Sequence, residues 1–239
     1  MIILAFDTSG HESGVAVVKN NAVVGEISVN AKHGGNNYTH SETLLPAAEN
    51  LLKFIGLTPS DPDYIAYTNG PGSFTGLRIG ASSALGMAKA LKIPAVAIPT
   101  LDALAYNVRH TGKNRCVVPM LDARRGQVYF ALYYQDENGN LHKKTDYSVQ
   151  KAVEVDLPEG CEMLFLGDGA DSYKTEIMQI YPTALFAPPH NSRTRASSVA
   201  LSALERINNS ETLEMGLIYV RQPQAVRERA CGGNNNRKI

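Results

Sequence analysis

Residues 2–9, Ile-Ile-Leu-Ala-Phe-Asp-Thr-Ser, form an apolar run that ends in a carboxylate and two hydroxyl groups. Residues 117–124, Val-Val-Pro-Met-Leu-Asp-Ala-Arg, have a similar pattern, and another apolar stretch follows each run, at 15–18 and at 128–134. Each aspartate therefore lies at a turn between two predicted strands. A pattern that occurs once in each half of a chain indicates a duplicated fold.

The segments around these runs alternate between predicted strands and helices. Further strands are predicted over 22–29, 64–68, 95–98, 115–121, 141–149 and 163–166. Helices are predicted over 40–55, 75–91, 101–108, 172–180 and 195–207. Thr39 and Glu42 have the spacing of a capping box, and Pro46 either kinks the first helix or marks its start. The order predicts an α/β protein that opens with an antiparallel meander.

Charge and hydropathy exclude several protein classes. The chain has 23 Lys and Arg against 23 Asp and Glu, so its net charge is zero and no global field attracts nucleic acid or anionic lipid. No apolar run reaches the roughly 18 residues that cross a bilayer, and the first run lacks the basic flank of a signal peptide. We therefore expect a cytoplasmic protein without a membrane segment that does not bind nucleic acid by itself.

The spacing of cysteine and histidine argues against disulfide and metal chemistry. Cys116, Cys161 and Cys231 are an odd number of widely separated thiols, so we expect all three to be reduced. No two histidines are three to five residues apart, as helical zinc ligands require, which disfavours a zinc hydrolase. Ser73 lacks the glycine two positions later that a nucleophile elbow needs, and we interpret it as a helix N-cap.

Three motifs have both a binding and a structural interpretation. Asp7-Thr8-Ser9 could hold hydrated magnesium and a phosphate, or form an Asx turn. The glycine-rich turn and helix start at 70–80, Gly-Pro-Gly-Ser-Phe-Thr-Gly-Leu-Arg-Ile-Gly, could bind an anion, but its stripe of small residues favours close packing against another helix. The basic pairs Arg124-Arg125 and Lys143-Lys144 could contact phosphates of RNA within a larger assembly, or be solvated surface.

Six motifs that run in order along the chain carry a resemblance to a known family. They are Ile-Leu-Ala-Phe-Asp-Thr-Ser at 3–9, His-Ser-Glu-Thr-Leu-Leu-Pro at 40–46, the eleven residues of 70–80, Leu-Asp-Ala-Arg-Arg-Gly-Gln-Val-Tyr at 121–129, Gly-Asp-Gly at 167–169 and Tyr-Val-Arg at 219–221. In these motifs the sequence resembles the bacterial TsaB (YeaZ) family of tRNA threonylcarbamoyladenosine biosynthesis proteins. The block at 70–80 is also typical of its catalytic relative TsaD.

The resemblance implies an actin-like, Hsp70-like ATPase fold with two similar lobes, each a mixed sheet flanked by helices. It implies a subunit without catalytic activity, a pseudoenzyme, that forms a heterodimer with TsaD and a homodimer when alone. Together with the ATPase TsaE, that heterodimer transfers threonylcarbamoyl to adenosine 37 of tRNAs that read codons beginning with A. TsaD is the catalyst, and tRNA is contacted through the complex.

Two departures from active relatives bear on catalysis. The H-x-x-x-H metal motif of TsaD aligns with residues 100–104, where Thr100 and Leu104 replace both ligands, so we expect no metal and no cofactor. Asp168 places a charged side chain in the glycine turn that would admit adenosine. We interpret the remaining motif residues as a vestigial nucleotide cleft, consisting of Asp7, Thr8, Ser9, Gly167 and Gly169.

The first two helices are predicted to carry the surface for TsaD or a second copy. That partner interface is predicted to consist of Leu44, Leu45, Ala48, Leu51, Leu52, Gly76, Gly80, Ala84 and Met87. We expect this face to be open, so that Gly80→Arg would fold but lose both partners.

We divide the chain into an N-terminal lobe (1–103), a C-terminal lobe (104–226), whose last helix could pack back on the first lobe, and a disordered tail (227–239). The alternative functions are a metallopeptidase or kinase-like enzyme of the same fold, and an independent homodimeric protein. The missing histidines oppose the peptidase, and the substituted glycine turn opposes the kinase.

Overall fold

The first sheet is built around the apolar run that ends in Asp7. The computed structural model describes residues 1–30, 39–158, 160–211 and 215–221, so the predicted tail at 227–239 lies outside the described residues. The strands of this sheet are β1 (Ile2–Asp7), β2 (Glu12–Lys19), β3 (Ala22–Asn30), β4 (Tyr64–Gly70) and β5 (Ala95–Pro99). Their order is β3-β2-β1-β4-β5, with β2 antiparallel and β4 parallel to the central β1.

The second sheet repeats this arrangement around the run that ends near Asp122. Its strands are β6 (Arg115–Arg124), β7 (Gln127–Phe130), β8 (Tyr133–Gln135), β9 (Leu141–Lys143), β10 (Ser148–Lys151), β11 (Glu162–Leu166) and β12 (Leu185–Phe186). The order is β10-β7-β6-β11-β12, with β7 antiparallel and β11 parallel to the central β6, and β8 and β9 form a hairpin beside this path. The duplicated α/β fold is therefore confirmed, whereas the single strand predicted over 141–149 is two strands.

Helices cover the sheets at the positions that the periodicity predicted. They are α1 (His40–Phe54), α2 (Phe74–Leu91), α3 (Thr100–Tyr106), α4 (Asp168–Ser172), α5 (Lys174–Ile180), α6 (Ala196–Asn208) and a short 3-10 helix (Ala152–Glu154). The Glu42 carboxylate accepts the Thr39 N–H at 2.8 Å in the predicted capping box, and α1 runs through Pro46 instead of starting there. The helix predicted over 172–180 corresponds to α5, and the short α4 before it lies where the sequence predicted a turn. In the described ranges, no helix is long and apolar enough to cross a membrane.

The two lobes share a helical layer. Helices α1 and α2 cover one face of the first sheet, and α6 covers the other face, where Val199 packs with Ile3. Helix α3 lies between the sheets, because Ala103 packs on the first sheet while Leu104 packs on the second. The predicted lobe boundary between residues 103 and 104 falls inside α3, and its exact position stays a prediction.

A disulfide corrects the expectation of three reduced cysteines. Cys116 on β6 is bonded to Cys161, with 6.0 Å between their Cα atoms. Strand β11 is the parallel neighbour of β6 and its Met163 lies opposite Cys116, so Cys161 reaches the same end of the sheet. The separation of 45 residues in sequence concealed this contact, because a parallel crossover brings distant residues together. Cys231 lies outside the described residues.

Candidate functional site

A cleft of about 650 Å³ lies between the two lobes. The turn after β1 and the start of α2 line it from the first lobe, and the turn after β6 and Asp168 line it from the second. Residues 218–221 also line the cleft. The two apolar runs that contain Asp7 and Asp122 therefore meet at one cleft. This agrees with their equivalent positions as the central strands of the two sheets.

Asp7 and Thr8 are buried beneath the first turn, and only Ser9 of the predicted motif lines the cleft. The Asp7 Oδ1 atom accepts hydrogen bonds from the Ser9 N–H at 3.0 Å, the Ser9 hydroxyl at 2.6 Å and the Thr68 hydroxyl at 2.8 Å. Burial raises the pKa of Asp7 above its ordinary value. These contacts are those of an Asx turn, and they engage the Oδ1 atom in hydrogen bonds within the protein.

The glycines of α2 pack against this turn, whereas its alanines, Ala84 among them, pack in the core that α2 shares with α1. The Thr8 hydroxyl donates to the Gly76 carbonyl at 2.7 Å. A Cβ atom at Gly76 would overlap the Thr8 carbonyl oxygen, and one at Gly80 would overlap the Thr8 hydroxyl. The close-packing interpretation of the glycine block is therefore correct, but its partner is the turn. Ser73 caps α2 as predicted, because its Oγ atom accepts the Gly76 N–H at 3.2 Å.

This packing corrects the open face that was predicted around Gly80. Of the nine predicted interface residues, seven are buried in the first lobe: Leu44, Ala48, Leu51, Leu52, Gly76, Gly80 and Ala84. Leu45 is 51 % exposed and Met87 is half-buried. Arg at Gly80 would displace Thr8, so Gly80→Arg is expected to disturb folding and does not test an interface. The partner surface itself stays a prediction, now restricted to exposed side chains on α1 and α2.

The Gly-Asp-Gly turn fixes the second lobe's side of the cleft. The Asp168 Oδ1 atom accepts the Asp122 N–H at 3.0 Å, and burial raises the pKa of Asp168. Gly167 has φ +105°, and a Cβ atom there would overlap the Met120 carbonyl oxygen. A Cβ at Gly169 would lie 2.8 Å from the Leu121 carbonyl carbon. Both glycines therefore allow α4 to lie close to the end of β6. Asp168, which lies between them in sequence, lines the cleft.

The segment 215–221, which we call the C-terminal strap, connects both lobes across the cleft. The Ile218 N–H donates to the Asn69 carbonyl at 2.7 Å, and the Asn69 side-chain amide donates to the Gly216 carbonyl at 2.9 Å. At its other end, Arg221 donates to the Ala123 carbonyl at 3.0 Å. Sequence reasoning did not give this segment a structural role. Its only signal was the motif Tyr-Val-Arg at 219–221.

The positions that align with metal ligands lie in the core. Thr100 and Leu104 are fully buried in α3, where Leu104 packs with Val117 of the second sheet. His40 lines the cleft, but its Nδ1 lies 2.7 Å from the Ser13 hydroxyl and its Nε2 lies 3.1 Å from the Gly10 carbonyl oxygen. Among the residues that the structure describes, no three His, Cys, Asp or Glu side chains form a group suited to a metal ion.

Comparison with known proteins agrees with this geometry. The family model for TsaD, tRNA N6-adenosine threonylcarbamoyltransferase, matches residues 22–216. The tRNA threonylcarbamoyladenosine biosynthesis protein TsaB of Bacillus subtilis is 37% identical over 199 residues, which are 81% of this chain and 83% of the relative. The chain belongs to the TsaB family. The family resemblance is therefore confirmed, and with it an involvement in tRNA threonylcarbamoyladenosine biosynthesis.

Solved structures confirm the fold. The structure of YeaZ from Pseudomonas aeruginosa has a TM-score of 0.75 at 24% identity and covers 91% of this chain and 99% of its own. The activator of 2-hydroxyisocaproyl-CoA dehydratase from Clostridium difficile, solved with bound ADPNP, has a TM-score of 0.52 at 15% identity and covers 88% of this chain and 97% of its own. The chain thus has the actin-like, Hsp70-like ATPase fold with two similar lobes.

Proposed function

We propose that this chain is a non-catalytic subunit that binds TsaD and supports the transfer of threonylcarbamoyl to adenosine 37 of tRNAs reading codons that begin with A. TsaD forms a heterodimer with the chain, and TsaE joins it in a ternary complex that contacts the tRNA. The chain alone forms a homodimer through the same surface. This role places it in the cytoplasm.

The burial of Thr100 and Leu104 is the main observation that supports a chain without catalytic activity. Both side chains have no accessible surface and lie between the two sheets, so a metal ion cannot be held there without opening the core. Asp7 is also buried and does not line the cleft, and its Oδ1 accepts three hydrogen bonds from the turn and from β4. A phosphotransferase or metallopeptidase would need metal ligands in place of Thr100 and Leu104 and an accessible carboxylate at the position of Asp7.

Exposed apolar side chains on α1 and α2 support the partner surface. Leu45 on α1 is 51 % exposed and Leu85 on α2 is 38 % exposed, although both belong to helices whose other face is buried in the core. The two helices contact each other, so the two leucines belong to one helical layer. Exposed apolar side chains on one helical layer offer a surface on which a partner can pack.

Copurification with tagged TsaD tests the proposal. We expect a one-to-one complex with the wild-type chain, and we expect Leu45→Asp to weaken it at least tenfold, because the charge would be buried on binding. Met178→Asp is the matched control, since Met178 is 45 % exposed on α5 of the second lobe. A wild-type chain that does not copurify with TsaD would overturn the proposed function. If both variants bind equally well, the surface on α1 is wrong.

A further inference from the structure

The mouth of the cleft combines exposed aromatic rings with arginines from three separate segments. The residues concerned, which we call the cleft rim, are Phe74, Arg78, Arg124, Arg125, Tyr219 and Arg221. The start of α2 supplies two of them, the last residue of β6 and the turn after it supply two, and the C-terminal strap supplies two. All except Arg78 line the same cleft of about 650 Å³, and Arg78 contacts the Phe74 ring and the Tyr219 hydroxyl at its edge.

The aromatic side of the rim is accessible, and its side chains contact one another. Phe74 is 36 % exposed and Tyr219 is 43 % exposed, and their ring centroids are 5.5 Å apart. The Arg78 guanidinium lies 3.8 Å from the Phe74 ring centroid, and its Nε atom donates to the Tyr219 hydroxyl at 3.3 Å. Asn69 holds the strap next to Tyr219 through one backbone and one side-chain hydrogen bond.

On the arginine side of the rim, positive charge is not neutralised by ion pairs among the described residues. Arg124 and Arg125 are exposed at the turn after β6, and in the described part of the chain neither forms an ion pair. Four other arginines do pair with carboxylates: Arg109, Arg193, Arg195 and Arg206. Arg221 donates to the Ala123 carbonyl directly before this turn, which adds a third guanidinium beside the pair.

The carboxylates of the cleft do not neutralise these arginines directly. Asp122 accepts the Arg124 backbone N–H at 2.7 Å, and Asp168 accepts the Asp122 N–H at 3.0 Å. Both acids are therefore hydrogen-bonded to the backbone of the turn that carries the arginines. Burial raises the pKa of Asp168 above its ordinary value.

Guanidinium groups beside exposed aromatic rings match the chemistry of an unpaired nucleic acid strand. Arginine binds phosphate oxygens through its planar set of donors, and aromatic rings stack on bases whatever their sequence. A duplex would present its phosphates but not its base faces, because these are stacked inside the helix. We propose that the cleft rim binds single-stranded RNA, with phosphates at Arg124 and Arg125 and a base on the Phe74 and Tyr219 rings. That this RNA is a loop of tRNA rests on the proposed function.

Fluorescence anisotropy of the full chain with a labelled, unstructured 12-nucleotide RNA tests this inference. The zero net charge of the chain supplies no overall attraction for nucleic acid. The local charge of the cleft rim is therefore expected to give binding that is measurable at about 50 mM salt and weakens as salt rises. Arg124→Ala combined with Arg125→Ala should weaken binding at least tenfold and reduce the slope of log K against log salt by about 1.4. Tyr219→Ala should weaken binding at least fivefold through lost stacking.

A second basic pair provides the matched control. Lys143→Ala combined with Lys144→Ala removes the same charge from β9 and the residue after it, away from the cleft, and should change RNA affinity less than twofold. Circular dichroism of each variant verifies folding. The inference is overturned if the wild-type chain does not bind the RNA, or if both double variants bind alike. It is also overturned if ATP or a duplex of the same length competes as well as the single strand. None of these results affects copurification with TsaD, which tests the proposed function separately.

Discussion

Gly80 has no side chain because the hydroxyl of Thr8 occupies the space that a Cβ atom would need. Thr8 directly follows the central strand of the first sheet, and its hydroxyl donates to the Gly76 carbonyl one helical turn before Gly80. The glycines of α2 therefore fix the distance between the helix and the turn after β1. Since that turn lines the cleft, residue size on α2 determines the shape of the site.

Gly80→Ala is expected to lower the free energy of unfolding by about 1–3 kcal/mol, because the added methyl overlaps Thr8. The control is Gly86→Ala on the same helix, where nothing lies within 4 Å of the added Cβ. That variant should gain about 0.5–1 kcal/mol from the better helix propensity of alanine. Urea unfolding of both variants provides the comparison. Equal effects of the two substitutions would contradict the close contact with Thr8.

Asp7 should make stability depend on pH. Its pKa is raised by burial, so the folded state holds a proton that the unfolded chain releases near its ordinary pKa of about 4. Stability from this group is therefore present at low pH and is lost as pH rises through the raised pKa. Asp7→Asn keeps the Oδ1 acceptor and removes the titration. Its stability relative to wild type, measured by urea unfolding from about pH 3.5 to 7, should increase with pH. A difference that does not change with pH would contradict the raised pKa.

The strand pair β6 and β11 shows how elements distant in sequence determine local chemistry. Their parallel register brings Cys161 to Cys116, and the disulfide closes a segment of 45 residues in the second lobe. Disulfides are rare in reducing compartments, so the bond is expected to depend on the redox conditions in which the chain is handled. The first sheet has no corresponding bond in its described strands.

Reduction of this bond is expected to cost about 2–4 kcal/mol of stability, through the chain entropy that the cross-link removes from the unfolded state. Urea unfolding with and without a thiol reductant measures the loss, and Cys161→Ser should reproduce it without reductant. Cys231→Ser is the control for removal of a thiol and should leave the reductant effect unchanged. Alkylation followed by mass measurement should modify one of the three cysteines in the unreduced protein. Modification of all three would contradict the bond.

Local patterns predicted most elements of the fold, because capping and periodicity act over a few residues. The capping box at Thr39, the N-cap at Ser73 and the two aspartate-ending runs were all found in this way. Contacts between distant residues were missed. Neither the pairing of Cys116 nor the covering of Gly80 by Thr8 leaves a periodic signal, because each depends on how two elements meet in space.

At the scale of the whole molecule, one carboxylate connects the lobes on the side away from the cleft motifs. Asp102 on α3 accepts hydrogen bonds from the Tyr133 hydroxyl at 2.5 Å and the Tyr147 hydroxyl at 2.7 Å, both of the second lobe. Its other oxygen accepts from Arg206 of α6 at 2.7 Å, and α6 packs on the first sheet. Burial, followed by the Asp102 charge, raises the pKa of Tyr133 well above its usual range, so this hydroxyl stays a donor.

Asp102→Ala should therefore loosen the contact between the lobes as well as lower stability. The substitution leaves two hydroxyl groups and the Arg206 guanidinium without their shared acceptor, and we expect a loss of about 2–4 kcal/mol in the free energy of unfolding. Hydrogen exchange should increase both in β8, which carries Tyr133, and in the last turns of α6. Asp146→Ala is the control, because Asp146 is exposed beside Tyr147 and has no ion pair in the described ranges. If exchange increases in β8 alone, Asp102 stabilises only the second lobe, and the coupling between lobes must reside in the hydrophobic packing around α3.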